Sequence, residues 1–217
     1  MSYDVCIFDL DGTLTDPKEG ITKSYQYALK SFGINEEQEN LTRHIGPPLR
    51  EVFADYYGFS TDKAEEAVAK YRERFADKGI HENKLYDGVP ELLAELKLQG
   101  KILAVATNKV AEYAKIILNH FDLLRYFDVI SGDDFDGTLS RNGKCEIIKI
   151  AMNSLEITDK TRVIMIGDRK NDVLGAKDVG IDSAGVLWGY GSRDELITAG
   201  ATHLAKGMQE MLEIILK

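Results

Sequence analysis

Hydrophobic positions along this chain follow two different periods. Short apolar runs rich in β-branched residues, typical of buried strands, occur at 4–8, 101–107, 127–131, 162–167 and 183–187. Between the later runs, apolar residues recur every three or four positions, which predicts helices over 89–99, 110–118, 147–152 and 173–179. Continuous apolar strands that alternate with amphipathic helices predict an α/β fold, a Rossmann-like doubly wound parallel sheet with helices on both faces.

One long gap interrupts this alternation. Residues 9–100 separate the first strand from the second, whereas a crossover between parallel strands needs only a dozen or so residues. Two helical stripes lie inside the gap, one built on Ile21, Tyr25 and Leu29 and the other within 64–75. We therefore predict an α-helical cap-like domain at 17–84, inserted into an α/β core domain formed by 1–16 and 85–217.

Composition and charge exclude several classes of partner. Of the 217 residues, 44% are hydrophobic, and none of the apolar runs approaches the length that spans a bilayer, about 20 residues. A formal net charge of −9 argues against a nucleic acid polymer or an anionic membrane surface as the main partner. We expect a cytoplasmic protein with free thiols at Cys6 and Cys145. We also expect a monomer, with a homodimer as the alternative.

Carboxylates and a hydroxyl collect where the predicted strands end. Asp9 and Asp11 close the first strand and, being two residues apart, point to the same side. Thr107 ends the second strand, and Asp168 and Asp172 follow the fourth. Ligands of open α/β sheets bind at this edge. Two charges about 4 Å apart repel by roughly 4 kcal/mol at an effective dielectric near 20, so we predict a bound hard cation, with Mg²⁺ favoured.

Each of these residues also has an ordinary structural interpretation. A single aspartate at a strand end often forms a turn or caps a helix. Thr107 could cap the following helix, and Lys144, just before the apolar stripe of 147–152, could be a solvated surface lysine. The joint pattern at the ends of one sheet is what favours a functional site.

The same residues carry a family resemblance. Asp9-Leu10-Asp11-Gly12-Thr13, Thr107-Asn108, Lys144 and Gly167-Asp168 with Asp172 resemble, in order, the four motifs of the haloacid dehalogenase superfamily. The inserted helical segment resembles the cap of that superfamily's phosphatases. Four further segments resemble its phosphoglycolate phosphatase and 5′-nucleotidase-like branch, namely 46–49, 85–89, 136–137 and 187–191.

The resemblance implies a Mg²⁺-dependent phosphomonoesterase that acts on a small phosphorylated metabolite. Asp9 would be the nucleophile that forms an aspartyl-phosphate, and Asp11 the general acid and base. Phosphate would be bound by Asp9, Asp11, Gly12, Thr107, Asn108 and Lys144. The metal would be held by the Asp9 side chain, the Asp11 backbone carbonyl and Asp168, with Asp172 in support.

We expect the inserted segment to select the substrate. Arg43 and Arg50 flank Gly46-Pro47-Pro48-Leu49, a loop stiffened by two prolines. Our hypothesis is that one arginine pairs with an anionic part of the leaving group; the alternative is that both lie on a solvated helix face.

Several other functions fit parts of the pattern. A sugar-phosphate phosphatase or a phosphomutase of the same superfamily would keep both Asp9 and Asp11. Dehalogenases lack the second carboxylate, and ion-pumping ATPases carry threonine there. A signalling receiver domain would be shorter and would lack the insertion. A catalytically silent binding or scaffold protein would have no use for four carboxylates that repel one another.

Overall fold

Eight strands are present in the computed structural model, which describes residues 2–217. They are β1 (Val5–Phe8), β2 (Thr15–Asp16), β3 (Lys84–Leu85), β4 (Ile102–Val110), β5 (Val129–Asp133), β6 (Val163–Gly167), β7 (Asp182–Val186) and β8 (His203–Ala205). Six of them form one sheet in the order β5-β4-β1-β6-β7-β8, and every pairing in it is parallel. β2 and β3 form a separate two-stranded sheet. The predicted fold class is confirmed.

Helices fill the segments between these strands. They are α1 (Lys18–Ser31), α2 (Gln38–Leu41), α3 (Leu49–Glu51), α4 (Thr61–Arg74), α5 (Val89–Leu98), α6 (Ala111–His120), α7 (Lys144–Ser154), α8 (Lys170–Val179), α9 (Arg193–Ala199) and α10 (Met208–Leu216). Single π-helical turns, Val52–Tyr56 and Phe75–Gly79, follow α3 and α4. All the predicted helical stripes lie in helices, with ends shifted by a few residues.

The chain divides into two compact units. The core unit comprises Met1–Thr15 and Leu85–Lys217, and the helical unit comprises Asp16–Lys84. Within the helical unit, the ring centroids of Tyr25 and Tyr71 lie 5.0 Å apart and join α1 to α4. Ser60 caps α4 by accepting a hydrogen bond from the Lys63 N–H.

Strand order places the carboxyl ends of three strands side by side. β1 lies between β4 and β6, with Val5 in register with both Ile102 and Val163. The chain runs outward from β1 through β4 to β5 and then returns to the other side of β1 at β6. Such a reversal of strand order opens a crevice at the carboxyl edge, where doubly wound folds bind ligands.

One face of the sheet is covered by α7 and α8. Ile147, Ile148 and Ala176 pack there on Ile7 and Met165 of the central strands, and all five are buried. Burying an aliphatic side chain of this size contributes about 1.5–3 kcal/mol.

The two helices also approach each other closely. A Cβ atom on Gly175 would lie 2.8 Å from the Cβ of Lys144, so only glycine fits between α8 and α7 at this point. This contact sets where the first residue of α7 lies beneath the carboxyl edge of the sheet.

No helix within residues 2–217 is long and apolar enough to cross a membrane. Cys6 and Cys145 are both free thiols, as expected.

Candidate active site

The first strand ends in a tight turn that carries two aspartates. The Asp9 N–H still pairs with the Ile166 carbonyl at 2.8 Å, so this residue extends the strand. Gly12 then reverses the chain with φ of +83°, a conformation that disfavours other residues. A Cβ atom here would also lie 2.3 Å from Asp168 Oδ2. The turn therefore brings the backbone after Asp11 directly against Asp168.

Three buried carboxylates from two stretches of chain meet at this edge. Oxygen atoms of Asp9, Asp168 and Asp172 lie within 4.8 Å of one another. Asp168 directly follows β6, whereas Asp172 lies in the first turn of α8, where its Oδ2 accepts a hydrogen bond from the Arg169 N–H at 3.1 Å. Asp172 thus has both a capping role and a place in the cluster.

A single lysine supplies the positive charge closest to this cluster. Lys144 Nζ lies 3.0 Å from Asp9 Oδ1 and 2.8 Å from Asp172 Oδ1, and its side chain is only 1% exposed. Burial alone would lower the pKa of Lys144, but Asp172 and Asp9 outweigh burial and raise this pKa well above its ordinary value. The surface-lysine interpretation is therefore wrong.

The combined negative charge of the carboxylates nevertheless exceeds the positive charge of one lysine. Burial, followed by repulsion from Asp172 and Asp9, holds the pKa of Asp168 well above its usual range. Burial is also the main cause that raises the pKa of Asp172 to about 6, although Lys144 opposes it. The site therefore favours any ligand that adds positive charge.

The donor set fits a hard divalent cation. Asp168 Oδ2 accepts a hydrogen bond from the Tyr190 N–H at 2.7 Å, whereas its Oδ1 is buried and has no hydrogen-bond partner among the described residues. A buried polar atom left unpaired costs about 1–3 kcal/mol. An oxygen-only cluster with an orphaned carboxylate oxygen suits Mg²⁺ or a similar ion.

The end of β4 contains an irregularity that places two residues at the site. Thr107 pairs with Gly132 and Val110 with Asp133, so Asn108 and Lys109 lie in a bulge between them. Bulges often redirect side chains beside active sites. Thr107 Oγ1 accepts a hydrogen bond from the Lys109 N–H at 3.3 Å, and α6 has no side-chain cap. Thr107 is thus not the cap of the next helix.

Lys109 is a site residue that the sequence reasoning missed. Its Nζ lies 2.8 Å from Asp11 Oδ2, and the two side chains are 6% and 11% exposed. Burial raises the pKa of Asp11 despite the opposing effect of Lys109, and Asp9 adds to the increase. The only signal in the sequence is a lysine directly after Thr107-Asn108 at a strand end.

The loop after β7 also contacts the carboxyl edge of the sheet, a contact that the sequence does not predict. The Trp188 Nε1–H donates to the Thr13 carbonyl at 3.0 Å, and the Tyr190 N–H binds Asp168. The loop therefore orients the carboxylate that follows β6. In the sequence, the segment 187–191 stands out only through its family resemblance.

The two arginines of the helical unit are engaged in ion pairs within that unit. Arg43 pairs with Glu36 at 2.5 Å, and its guanidinium lies 4.3 Å from the centre of the Tyr56 ring. Arg50 binds Glu65 through two hydrogen bonds. The side chain of Arg43 is 46% exposed, compared with 19% for Arg50.

Comparisons with known proteins agree with this geometry. A family model described as haloacid dehalogenase-like hydrolase matches residues 6–186. A protein of Pseudomonas aeruginosa named 5′-nucleotidase is 43% identical over 99% of this chain and 96% of its own length. A Mycobacterium tuberculosis protein named tyrosine-protein kinase PtkA is 41% identical over 94% of this chain and 70% of its own length. The crystal structure of a phosphatase from Clostridium acetobutylicum, described as predicted, has a TM-score of 0.95 at 45% identity and covers 99% of both chains.

Replacement of Lys144 tests how strongly the carboxylate cluster depends on it. We expect Lys144→Met to lower Tm in EDTA by about 10 °C, because removing one partner of a buried ion pair costs about 3–5 kcal/mol. The measurement is thermal unfolding followed by circular dichroism. Lys149→Met, on the exposed face of the same helix, is the matched control and should change Tm by less than about 2 °C.

A second substitution checks the cause of that loss. Changing Asp172 to Asn in the Lys144→Met background removes one of the unpaired charges and should restore part of the lost stability. A Lys144→Met protein as stable as the control would show that the cluster does not rely on this lysine.

Proposed function

Because this chain belongs to the haloacid dehalogenase-like hydrolase family and is a phosphoric monoester hydrolase, we propose that its substrate is a small phosphorylated metabolite. The reaction passes through an aspartyl-phosphate on Asp9, with Mg²⁺ as the cofactor. The observation that carries the proposal is the convergence of Asp9, Lys144 and Asp168 at the carboxyl edge of the sheet.

Asp9 has the fixed orientation that a nucleophile needs. Its Oδ1 accepts a hydrogen bond from the Leu10 N–H at 2.8 Å and also lies next to Lys144. A carboxylate attack on phosphorus divides one difficult displacement into two easier steps. In the first step Asp9 displaces the alcohol, and in the second step water releases phosphate.

The neighbouring residues bind the transferring group and handle protons. Thr107, the Asn108 amide, Gly12 and Lys144 would hold the phosphoryl oxygens, and Lys144 would offset their charge. Asp11 would protonate the departing oxygen and then deprotonate the attacking water. Asp9, the Asp11 carbonyl and Asp168, supported by Asp172, would hold Mg²⁺, which reduces the repulsion between the carboxylates and the phosphoryl oxygens.

The nucleophile assignment is tested by one substitution. We expect Asp9→Asn to reduce the hydrolysis of p-nitrophenyl phosphate in Mg²⁺ by at least about 1,000-fold, because an amide cannot replace the attacking carboxylate. Asp178→Asn, on the exposed face of α8, is the control and should leave activity unchanged. Retention of more than a tenth of the activity by Asp9→Asn would contradict the assignment.

Release of inorganic phosphate from a panel of esters can identify the substrate class. A panel of phosphoglycolate, nucleoside 5′-monophosphates, sugar phosphates and phosphotyrosine compares the candidate esters. The nucleotides and phosphotyrosine belong in the panel because relatives of this chain are named 5′-nucleotidase and tyrosine-protein kinase. A phosphomutase would instead return phosphate to a second hydroxyl of a sugar phosphate.

Metal binding is tested by its effect on stability. We expect Mg²⁺ to raise the Tm of EDTA-treated protein, and Asp172→Asn to require about 10-fold more Mg²⁺ for the same rise. The pKa of Asp172 is raised to about 6, so protons compete with the cation below that pH. The Mg²⁺-induced rise should therefore be larger at about pH 7.5 than at about pH 5.5. An equal response in Asp172→Asn and wild type would exclude Asp172 from the metal site.

Arg43 is the better candidate of the two arginines for substrate selection, because its side chain is the more exposed and Arg50 is held by two hydrogen bonds to Glu65. We expect Arg43→Ala to raise KM several-fold for esters whose leaving group is anionic, such as phosphoglycolate, and to leave neutral esters unaffected. Arg50→Ala should lower Tm more than it changes KM. Unchanged kcat/KM for both ester types in the double alanine variant would reject the hypothesis.

A further inference from the structure

The ion pair between Lys109 and Asp11 has no role in the mechanism given above. Lysine is seldom buried in proteins. Here the side chains of both Lys109 and Asp11 are almost fully buried. Lys109 reaches this position only because β4 bulges between Thr107 and Val110. A buried cation held by a strand irregularity beside the reacting groups calls for an explanation beyond packing.

The two oxygens of Asp11 have different surroundings. Oδ2 lies 2.8 Å from Lys109 Nζ, whereas Oδ1 is buried and accepts no hydrogen bond within residues 2–217. A carboxyl group held through one oxygen cannot rotate freely about its terminal bond. Its other oxygen is therefore presented in one fixed direction.

General acid catalysis depends on that direction, because the carboxyl oxygen must lie within about 2.6–3.2 Å of the atom that receives the proton. We propose that Lys109 is a positioning residue that holds Asp11 through Oδ2, so that Oδ1 exchanges the proton with the leaving oxygen. The proposal rests on the proposed phosphatase mechanism and deepens it.

In this step one bond forms, one bond breaks and one proton is transferred. An Asp9 oxygen forms a bond to phosphorus while the bond between phosphorus and the ester oxygen breaks. The electron pair of the broken bond goes to the ester oxygen, and the proton on Asp11 Oδ1 neutralises it as the alcohol departs. Lys109 forms no bond to the substrate in this step.

The competing explanation is a direct contact between Lys109 and the phosphoryl group. Esters with different leaving groups distinguish these two explanations. An alkyl phosphate needs a proton on its departing oxygen, whereas dinitrophenolate departs without one. Replacing a residue that acts through Asp11 should therefore lower kcat/KM only for the alkyl ester. Replacing a residue that binds the phosphoryl group should lower kcat/KM equally for both esters.

The experiment measures kcat/KM in Mg²⁺ with two esters. One is 2,4-dinitrophenyl phosphate, and the other is whichever of phosphoglycolate, glycerol 3-phosphate and ribose 5-phosphate the wild type hydrolyses fastest. This ratio covers only the steps up to departure of the leaving group, so later hydrolysis of the aspartyl-phosphate does not affect it. The variants are Lys109→Met, Lys109→Arg, Asp11→Asn and the double variant Lys109→Met with Asp11→Asn.

We expect Lys109→Met to lower kcat/KM for the alkyl ester by about 10–100-fold and for the dinitrophenyl ester by less than about 3-fold. Lys109→Arg, which keeps a cation, should recover part of the loss. In the Asp11→Asn background, Lys109→Met should have no further effect, since the residue acts only through Asp11. Lys115→Met, at an exposed position of α6, is the control and should match wild type.

Other results would overturn the proposal. Equal losses for both esters, or additive losses in the double variant, would mean that Lys109 contacts the phosphoryl group. No loss for either ester in folded Lys109→Met would mean that the pair has no role in catalysis. If Lys109→Met fails to fold, the comparison of Lys109→Arg with wild type on the two esters applies the same criterion. A wild type inactive on both esters in Mg²⁺ would instead refute the proposed function.

Discussion

The concentration of buried negative charge at one edge of the sheet is the constraint on which the site depends. Asp9, Asp168 and Asp172 lie within 4.8 Å of one another and are almost inaccessible to water. Burial and repulsion between the carboxylates raise the pKa values of Asp168 and Asp172, and Lys144 offsets only one charge. A further cation or a proton would therefore stabilise the arrangement. The way in which these charges are enclosed therefore favours the binding of a cation.

The fold determines which groups share that edge. Because β1 lies between β4 and β6, residues just beyond the ends of these strands are neighbours in space although they are far apart in sequence. The turn at Gly12 and the loop that carries Tyr190 then close on Asp168 from the same side of the site. A parallel register and a few backbone contacts are enough to build the cluster.

Much of this arrangement could be predicted from the sequence, because an apolar run shows where a strand ends. Asp9, Thr107 and Asp168 stand at such ends, which predicts that they lie at the same edge of the sheet. The burial of Lys144 could not be deduced, since it depends on the close contact between α7 and α8 at Gly175. The role of Lys109 depends on a bulge, which leaves no periodic signal. β8 was missed because three residues are too few to show a period.

The neighbouring aspartates Asp9 and Asp11, to which the proposed mechanism gives different roles, have different surroundings. Asp9 and Asp11 are only two residues apart, yet a nucleophile must be ionised while a general acid must carry a proton. Lys144 and the Leu10 N–H both contact Asp9 Oδ1 and fix the orientation of this carboxylate. Lys109 contacts one oxygen of Asp11, while burial raises the pKa of this group and leaves the other oxygen without a hydrogen bond. These different surroundings fit the two roles that the proposed two-step phosphoryl transfer assigns to Asp9 and Asp11.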